Sequence, residues 1–121
     1  MEVKVKFKNG KIYEGVDSLE QEEYYNGSSR RTLTVKLDKS YSVDELNKLV
    51  SDTSNIESIK VTADTWENIY DGYTMKLRLG VEQNLVTAET PETPSVYEEV
   101  VVLKLGRPTY IERQLAKLGI Q

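Results

Sequence analysis

The chain has 121 residues, 38% of them hydrophobic and 30% charged, with a net charge of −4 at neutral pH and no cysteine or histidine. That length suits one domain with one core. The missing residue types exclude disulfides, thiol nucleophiles, Cys- or His-based zinc centres and every Ser-His or Cys-His dyad. An enzyme built from this chain would have to work with Asp, Glu, Lys, Tyr or Ser alone, so a non-enzymatic role is the expectation, with no cofactor and no metal. Basic residues are spread along the chain and form no stripe of the kind that displaces counterions from nucleic acid. No apolar run approaches the roughly 18 residues of a membrane span. The opening MEVKVKFKNG alternates charged and apolar residues and lacks the apolar core of a signal peptide, which makes an intracellular site of synthesis the expectation.

In chain order, residues 3 to 16 read as a β-hairpin. Val3, Val5 and Phe7 alternate with Lys4, Lys6 and Lys8, one apolar face and one charged face. Asn9-Gly10 follows as a two-residue turn that tolerates positive φ. A strict two-residue register pairs Phe7 with Ile12 and Val3 with Val16. It also puts Glu14 on the apolar face opposite Val5, so a bulge or an early end to the ladder is expected near Glu14-Gly15. Residues 17 to 37 form a second hairpin with its turn at Asn26-Gly27-Ser28-Ser29. Glu22 and Glu23 face Arg30 and Arg31 across it, and Leu33, Val35 and Leu37 form its buried face.

Residues 42 to 51 are the clearest helix. Ser42 and Glu45 make an S-x-x-E capping box, Asp44 and Glu45 suit the positive end of the helix dipole, and Val43, Leu46, Leu49 and Val50 share one face. Strands return over 56 to 81. Ile59, Val61 and Ala63 alternate, Asp64-Thr65 starts a turn, Trp66 to Tyr70 follows, and after Asp71-Gly72 the residues Met75, Leu77, Leu79 and Val81 alternate with Lys76 and Arg78. KVKFKNGKIYEGV (4 to 16) is echoed by KVTADTWENIYDGY (60 to 73), a likeness that any two hairpins can show. Residues 82 to 95, with TAETPETPS, read as a linker or loop because proline fixes φ and cannot donate to a ladder. Val96 to Leu105 is a long strand ending at Gly106. Pro108 and a second capping box, Thr109 with Glu112, open a C-terminal helix whose Ile111, Leu115 and Leu118 share a stripe.

The chain thus divides into an antiparallel β domain over 1–106, with a helix near 42–51 and a Thr/Pro loop near 86–95, and a C-terminal helix over 107–121. The fold class is β-rich α+β: an antiparallel β-sandwich or small barrel of hairpins with one short internal helix and a C-terminal helix.

Two acidic groups are weighed for chemistry. Glu20, Glu22 and Glu23 lack the converging oxygens of a calcium or magnesium site and read as a solvated, arginine-paired strand. Asp64, Glu67 and Asp71 beside Trp66 and Tyr70 have the residue types of a sugar-cleaving pair, but solvated loop acids are the simpler reading. The eight tyrosines and one tryptophan suit interfaces, where a polar tip and an apolar ring are both useful. The contact candidates are Tyr24, Tyr25, Arg30, Arg31, Trp66, Tyr70, Tyr73, Tyr110, Ile111, Leu115 and Leu118.

FKNGKIYEGV, then SLEQEEYYNGSSRRTLTVKL, then YSVDELNKLVSD with NIESIKVT, then IYDGYTMKLRLG and the TPETPSVYEE linker together resemble small proteins encoded among the tail and baseplate genes of phages and prophages of Gram-positive gut bacteria. The resemblance spans nearly the whole chain and rests on no chemical signature, so it carries over no catalytic residue. It implies a structural or tail and baseplate assembly protein, made in the bacterial cytoplasm and incorporated in the virion. Its partners would be other phage tail proteins or further copies of itself, with no membrane or nucleic acid. The alternative is a small phage anti-defence protein that binds a host immune protein or sequesters a nucleotide signal, using Arg30, Arg31, Arg78, Arg107 or Arg113 on phosphate. A third reading is an enzyme or carbohydrate-binding module with Trp66, Tyr70 and the nearby acids as its binding face.

Overall fold

The structure, a computed structural model, describes residues 2–25 and 27–118, without the side chains of Tyr25, Tyr110, Ile111 and Ala116. It is β-rich α+β, as expected. The strands are β1 (Val3–Lys6), β2 (Ile12–Tyr25), β3 (Ser28–Asp38), β4 (Ser58–Thr62), β5 (Glu67–Asp71), β6 (Met75–Thr87) and β7 (Val96–Gly106). The helices are α1 (Val43–Ser51) and α2 (Tyr110–Lys117), and a 3-10 turn spans Thr53–Ile56.

The seven strands among the described residues join one antiparallel sheet in the order β5-β4-β1-β2-β3-β7-β6. Its two end strands, β5 and β6, are consecutive in the chain and separated only by Gly72, Tyr73 and Thr74. A flat sheet would hold those edges about 29 Å apart at the usual strand spacing, whereas Asp71 and Met75 can be separated by at most about 14 Å of extended chain. The sheet is therefore rolled into a partly open barrel. Arg107, just past β7, closes the same end by donating from Nε to the Asp71 carbonyl at 3.0 Å.

The inner face holds the core. Val3, Val5, Leu33, Val35, Leu37, Leu103 and Leu105 are buried there with Leu46, Leu49 and Val50 of α1. Each such side chain contributes about 1.5–3 kcal/mol when fully buried, and this burial is what holds a nine-residue helix that would be marginal alone. Ser42 Oγ caps α1 by accepting from the Glu45 amide at 3.3 Å. Lys76 Nζ, donating to Asn47 Oδ1 at 2.7 Å, ties α1 to the edge strand β6.

The first hairpin corrects the expected register. Val3 stands opposite Gly15, Val5 opposite Tyr13 and Lys6 opposite Ile12, one residue away from the strict two-residue pairing. The Phe7 amide bonds the Lys11 carbonyl and Gly10 sits at φ 91°, so the loop has three residues and ends in a left-handed glycine. A one-residue slip exchanges the faces of a strand. Here it sends Tyr13 and Gly15 into the core and turns Glu14 out to solvent, which removes the buried carboxylate that the shorter turn would create. The β1–β2 ladder therefore runs without the expected irregularity at Glu14-Gly15; a register shift occurs instead in the β2–β3 ladder, between Gly15 and Asp17.

The second hairpin turns more tightly than expected. Tyr25 pairs with Ser28, so Ser28 and Ser29 belong to β3; Asn26 lies outside the described residues. The two echoing segments lie side by side, with Val5 of β1 opposite Val61 of β4.

Two features of β6 also differ from expectation. The strand runs on to Thr87, so 82–87 is paired with β7 and the true loop is 88–95. The ladder shifts between Lys76 and Arg78. Leu77 at that shift overlies Gly106, where a Cβ would lie 3.0 Å from Leu77 Cδ1, and so leaves the alternation with Leu79.

Candidate contact surface

Three places gather the functional candidates. The first is an arm. β3 ends opposite Val100 at Asp38, while β6 and β7 continue as a two-stranded ribbon from Gln83/Glu99 to Thr87/Val96, about 12 Å long at the usual rise. Among the described residues, five of the eleven large exposed apolar side chains lie along these two strands: Val81, Leu85, Val86, Val96 and Tyr97. Tyr97 stands opposite Leu85 on the same side as Val81, with the Gln83–Glu99 pair between them, so the inner face of the sheet continues beyond the core to an exposed apolar pair at Leu85 and Tyr97. Lys36 Nζ donates to Asn84 Oδ1 at 2.9 Å and ties the base of the arm to the body.

The second place is the end of the inner face. Tyr73, in the link between the two edge strands, is fully buried. Its hydroxyl donates to Glu20, its ring meets Tyr70 edge to face at 6.1 Å, and the Arg107 guanidinium lies 4.9 Å from the ring centre. Arg31 pairs with Glu20 at 2.8 Å. Burial first, and then the hydrogen bond to Glu20, push the Tyr73 hydroxyl up to about 12. The same bond, followed by Arg31 as a lesser cause, holds the Glu20 carboxyl below its ordinary range against desolvation. Tyr73→Phe keeps the packing and strands the Glu20 oxygen, so it is expected to lower unfolding free energy by about 1 kcal/mol, read from urea denaturation of both proteins.

The third place is the outer face, where α2 attaches. Arg30 has a side chain only 2% exposed, and its Nη1 reaches Glu112 Oε1 at 2.7 Å and the Arg107 carbonyl at 3.2 Å. Glu112 Oε1 also accepts from the Thr109 amide at 2.8 Å, and the Glu112 amide donates to Thr109 Oγ1 at 3.3 Å. The second capping box is thus complete, and its carboxylate doubles as the fastening to the sheet. Beside it, Lys104 Nζ donates to Glu23 Oε1 at 2.6 Å, and Thr32 Oγ1 to Glu23 Oε2 at 3.0 Å.

These contacts redistribute the residues singled out in the sequence. Glu22 and Glu23 do stand opposite Arg31 and Arg30 in the ladder, but the side chains choose other partners: Arg31 takes Glu20 diagonally, Arg30 takes Glu112, and Glu23 takes Lys104. Tyr73 and Arg30 are buried, and so unavailable as outward contacts. Trp66 and Tyr70 are half-buried against the core. Tyr24 is exposed near the second turn, Leu115 is exposed on α2, and Leu118 is exposed just past its end. The side chains of Tyr25, Tyr110 and Ile111 lie outside the described residues. Glu67 pairs with Lys60 at 3.1 Å, while Asp64 and Asp71 are solvated.

The sequence conceals the arm, because prolines at 91 and 94 make the whole stretch from 82 read as loop. The available signal was Val81 and Leu85 at even spacing on one face, interrupted by the polar Gln83. Comparison with protein families, with curated proteins and with solved structures finds no match to this chain.

Proposed function

We propose that this protein is a non-enzymatic structural or assembly component of a phage tail or baseplate and works through protein–protein contacts. The observation that carries the contact role is the β6–β7 arm, an ordered ribbon with Leu85, Val86, Val96 and Tyr97 exposed. Ordered strands that leave apolar side chains in water suit a partner surface, because the ordering cost of binding is already met by the fold. The assignment to a tail comes from the resemblance of the sequence to tail-region proteins. Of the cations that a nucleotide sponge would use, Arg30 is buried against Glu112, Arg107 is engaged with Tyr73 and the Asp71 carbonyl, and Arg31, Arg78 and Arg113 are exposed.

The test is a triple variant, Leu85→Ser, Val86→Ser and Tyr97→Ser, compared with wild type as bait for purified tail and baseplate proteins of a phage that encodes this chain. The variant is expected to keep its circular dichroism spectrum and to lose at least about tenfold in affinity for its tail partner. Equal binding by both would remove the arm from the contact surface. Binding of a host immune protein in place of any tail protein would move the assignment to the anti-defence alternative.

A further inference from the structure

The free edge of β6 has a charge pattern that is complementary to itself. β6 is an end strand, paired with β7 alone among the strands; α1 lies against it at Lys76, and between its two register shifts it runs regularly from Arg78 to Leu85. An unpaired edge of that length is a template for another strand. Arg78 and Glu82 point to the same face, at positions separated by four residues with Gly80 between them. Within the chain they reach each other along the strand at 2.7 Å. Arg78 also stands opposite Lys104 in the β7 ladder, a like-charged neighbour, and a carboxylate across the open side of β6 would offset that repulsion.

Resting on the contact-protein reading and naming one of its partners, the geometry points to a second copy of this chain as the occupant of the edge. The two β6 strands pair antiparallel about a two-fold axis through Gly80. That register places Arg78 of each copy opposite Glu82 of the other, giving two reciprocal ion pairs on the outer face. On the inner face it places Leu79 opposite Val81, which covers a valine that is 57% exposed in the single chain. At the axis, the position of a Gly80 Cβ has no atom of the chain within 4 Å, so the ion pairs close over open space. Neighbouring registers lose this match. An axis through Val81 sets Arg78 against Asn84, and one through Glu82 sets two carboxylates face to face, which is destabilising. Such a dimer joins two barrels into one continuous sheet and carries two arms, and an isologous contact of this kind closes on itself.

The experiment is light scattering on wild type, on Arg78→Glu, on Glu82→Arg, and on an equimolar mixture of the two variants, with circular dichroism confirming that each is folded. Wild type is expected at twice the 13.8 kDa chain mass. Each single variant puts like charges opposite each other twice and is expected to dimerise at least about tenfold more weakly. The mixture is expected to recover a one-to-one dimer, because two carboxylates on one copy then face two guanidinium groups on the other. That recovery cannot arise from the pair within a chain, which is broken in both variants. A wild type that stays monomeric at every concentration overturns the dimer, as do single variants that dimerise like wild type or a mixture that stays monomeric. These outcomes are separate from the arm test, which reads binding to a tail protein.

Discussion

Gly15→Ala is expected to lower unfolding free energy by about 3 kcal/mol, although it adds one methyl group to a strand. Gly15 is paired on both sides, with Val3 of β1 and Leu37 of β3, and it faces the core just before the register shift. A Cβ there would lie 2.6 Å from the Lys36 carbonyl oxygen, and 3.3 Å from both Leu37 Cδ2 and Val3 Cγ2. The two side-chain carbons can give way; the carbonyl belongs to the β3 backbone and can move only with the sheet. Urea denaturation of the variant checks the magnitude. Adding Val3→Ala separates the causes. If the carbonyl is the obstacle, the double variant recovers nothing and is less stable still, by the loss of a buried valine. Recovery of stability in the double variant would place the obstacle in the side chains.

The second large effect is expected at the α2 fastening, and it depends on pH. The Arg30 guanidinium, and then the Thr109 amide, hold the Glu112 carboxyl down at about 2, against an ordinary 4.5. Protons therefore bind the unfolded chain more readily than the folded one. The stabilisation is present in full above about 4.5 and is lost as pH falls from there toward 2. Glu112 is 30% exposed at its side chain, so water screens part of the attraction, and Glu112→Gln is expected to cost about 2 kcal/mol near neutral pH. The cost arises on the other partner, because Arg30 remains buried with its charge. Glu20 and Glu23 are also held below their ordinary range and add to acid sensitivity in both proteins. The informative quantity is thus the difference between the wild-type and Glu112→Gln stability curves from pH 7 to pH 2. It should be flat down to about 4.5 and then close. A difference that stays constant to pH 2 would mean that the Glu112 charge does not stabilise the fold.

Much of the secondary structure could be read along the chain, because it depends on neighbours in sequence. The lysine–apolar alternation of β1, the Leu33, Val35 and Leu37 face of β3, and the Leu46, Leu49 and Val50 stripe of α1 all follow from the periods of strand and helix. Both capping boxes are contacts over three residues, and Ser42 and Thr109 each accept the expected amide. The absence of cysteine and histidine likewise set limits on chemistry that no folding could alter.

Tertiary structure decided the rest, each time because two locally acceptable choices differed only in distant partners. Asn9-Gly10 serves a two- or a three-residue loop. The core chose the second, since only that register buries Tyr13 and exposes Glu14. Arg30 and Arg31 could pair with any carboxylate on β2, and the outcome depended on Glu112, 82 residues away from Arg30, and on Tyr73 holding Glu20. The prolines after Thr87 hid how far β6 extends, since strand pairing depends on β7 beyond the loop. That the sheet rolls at all follows from a link of three residues between its two edges, a constraint visible only once the strand order is known.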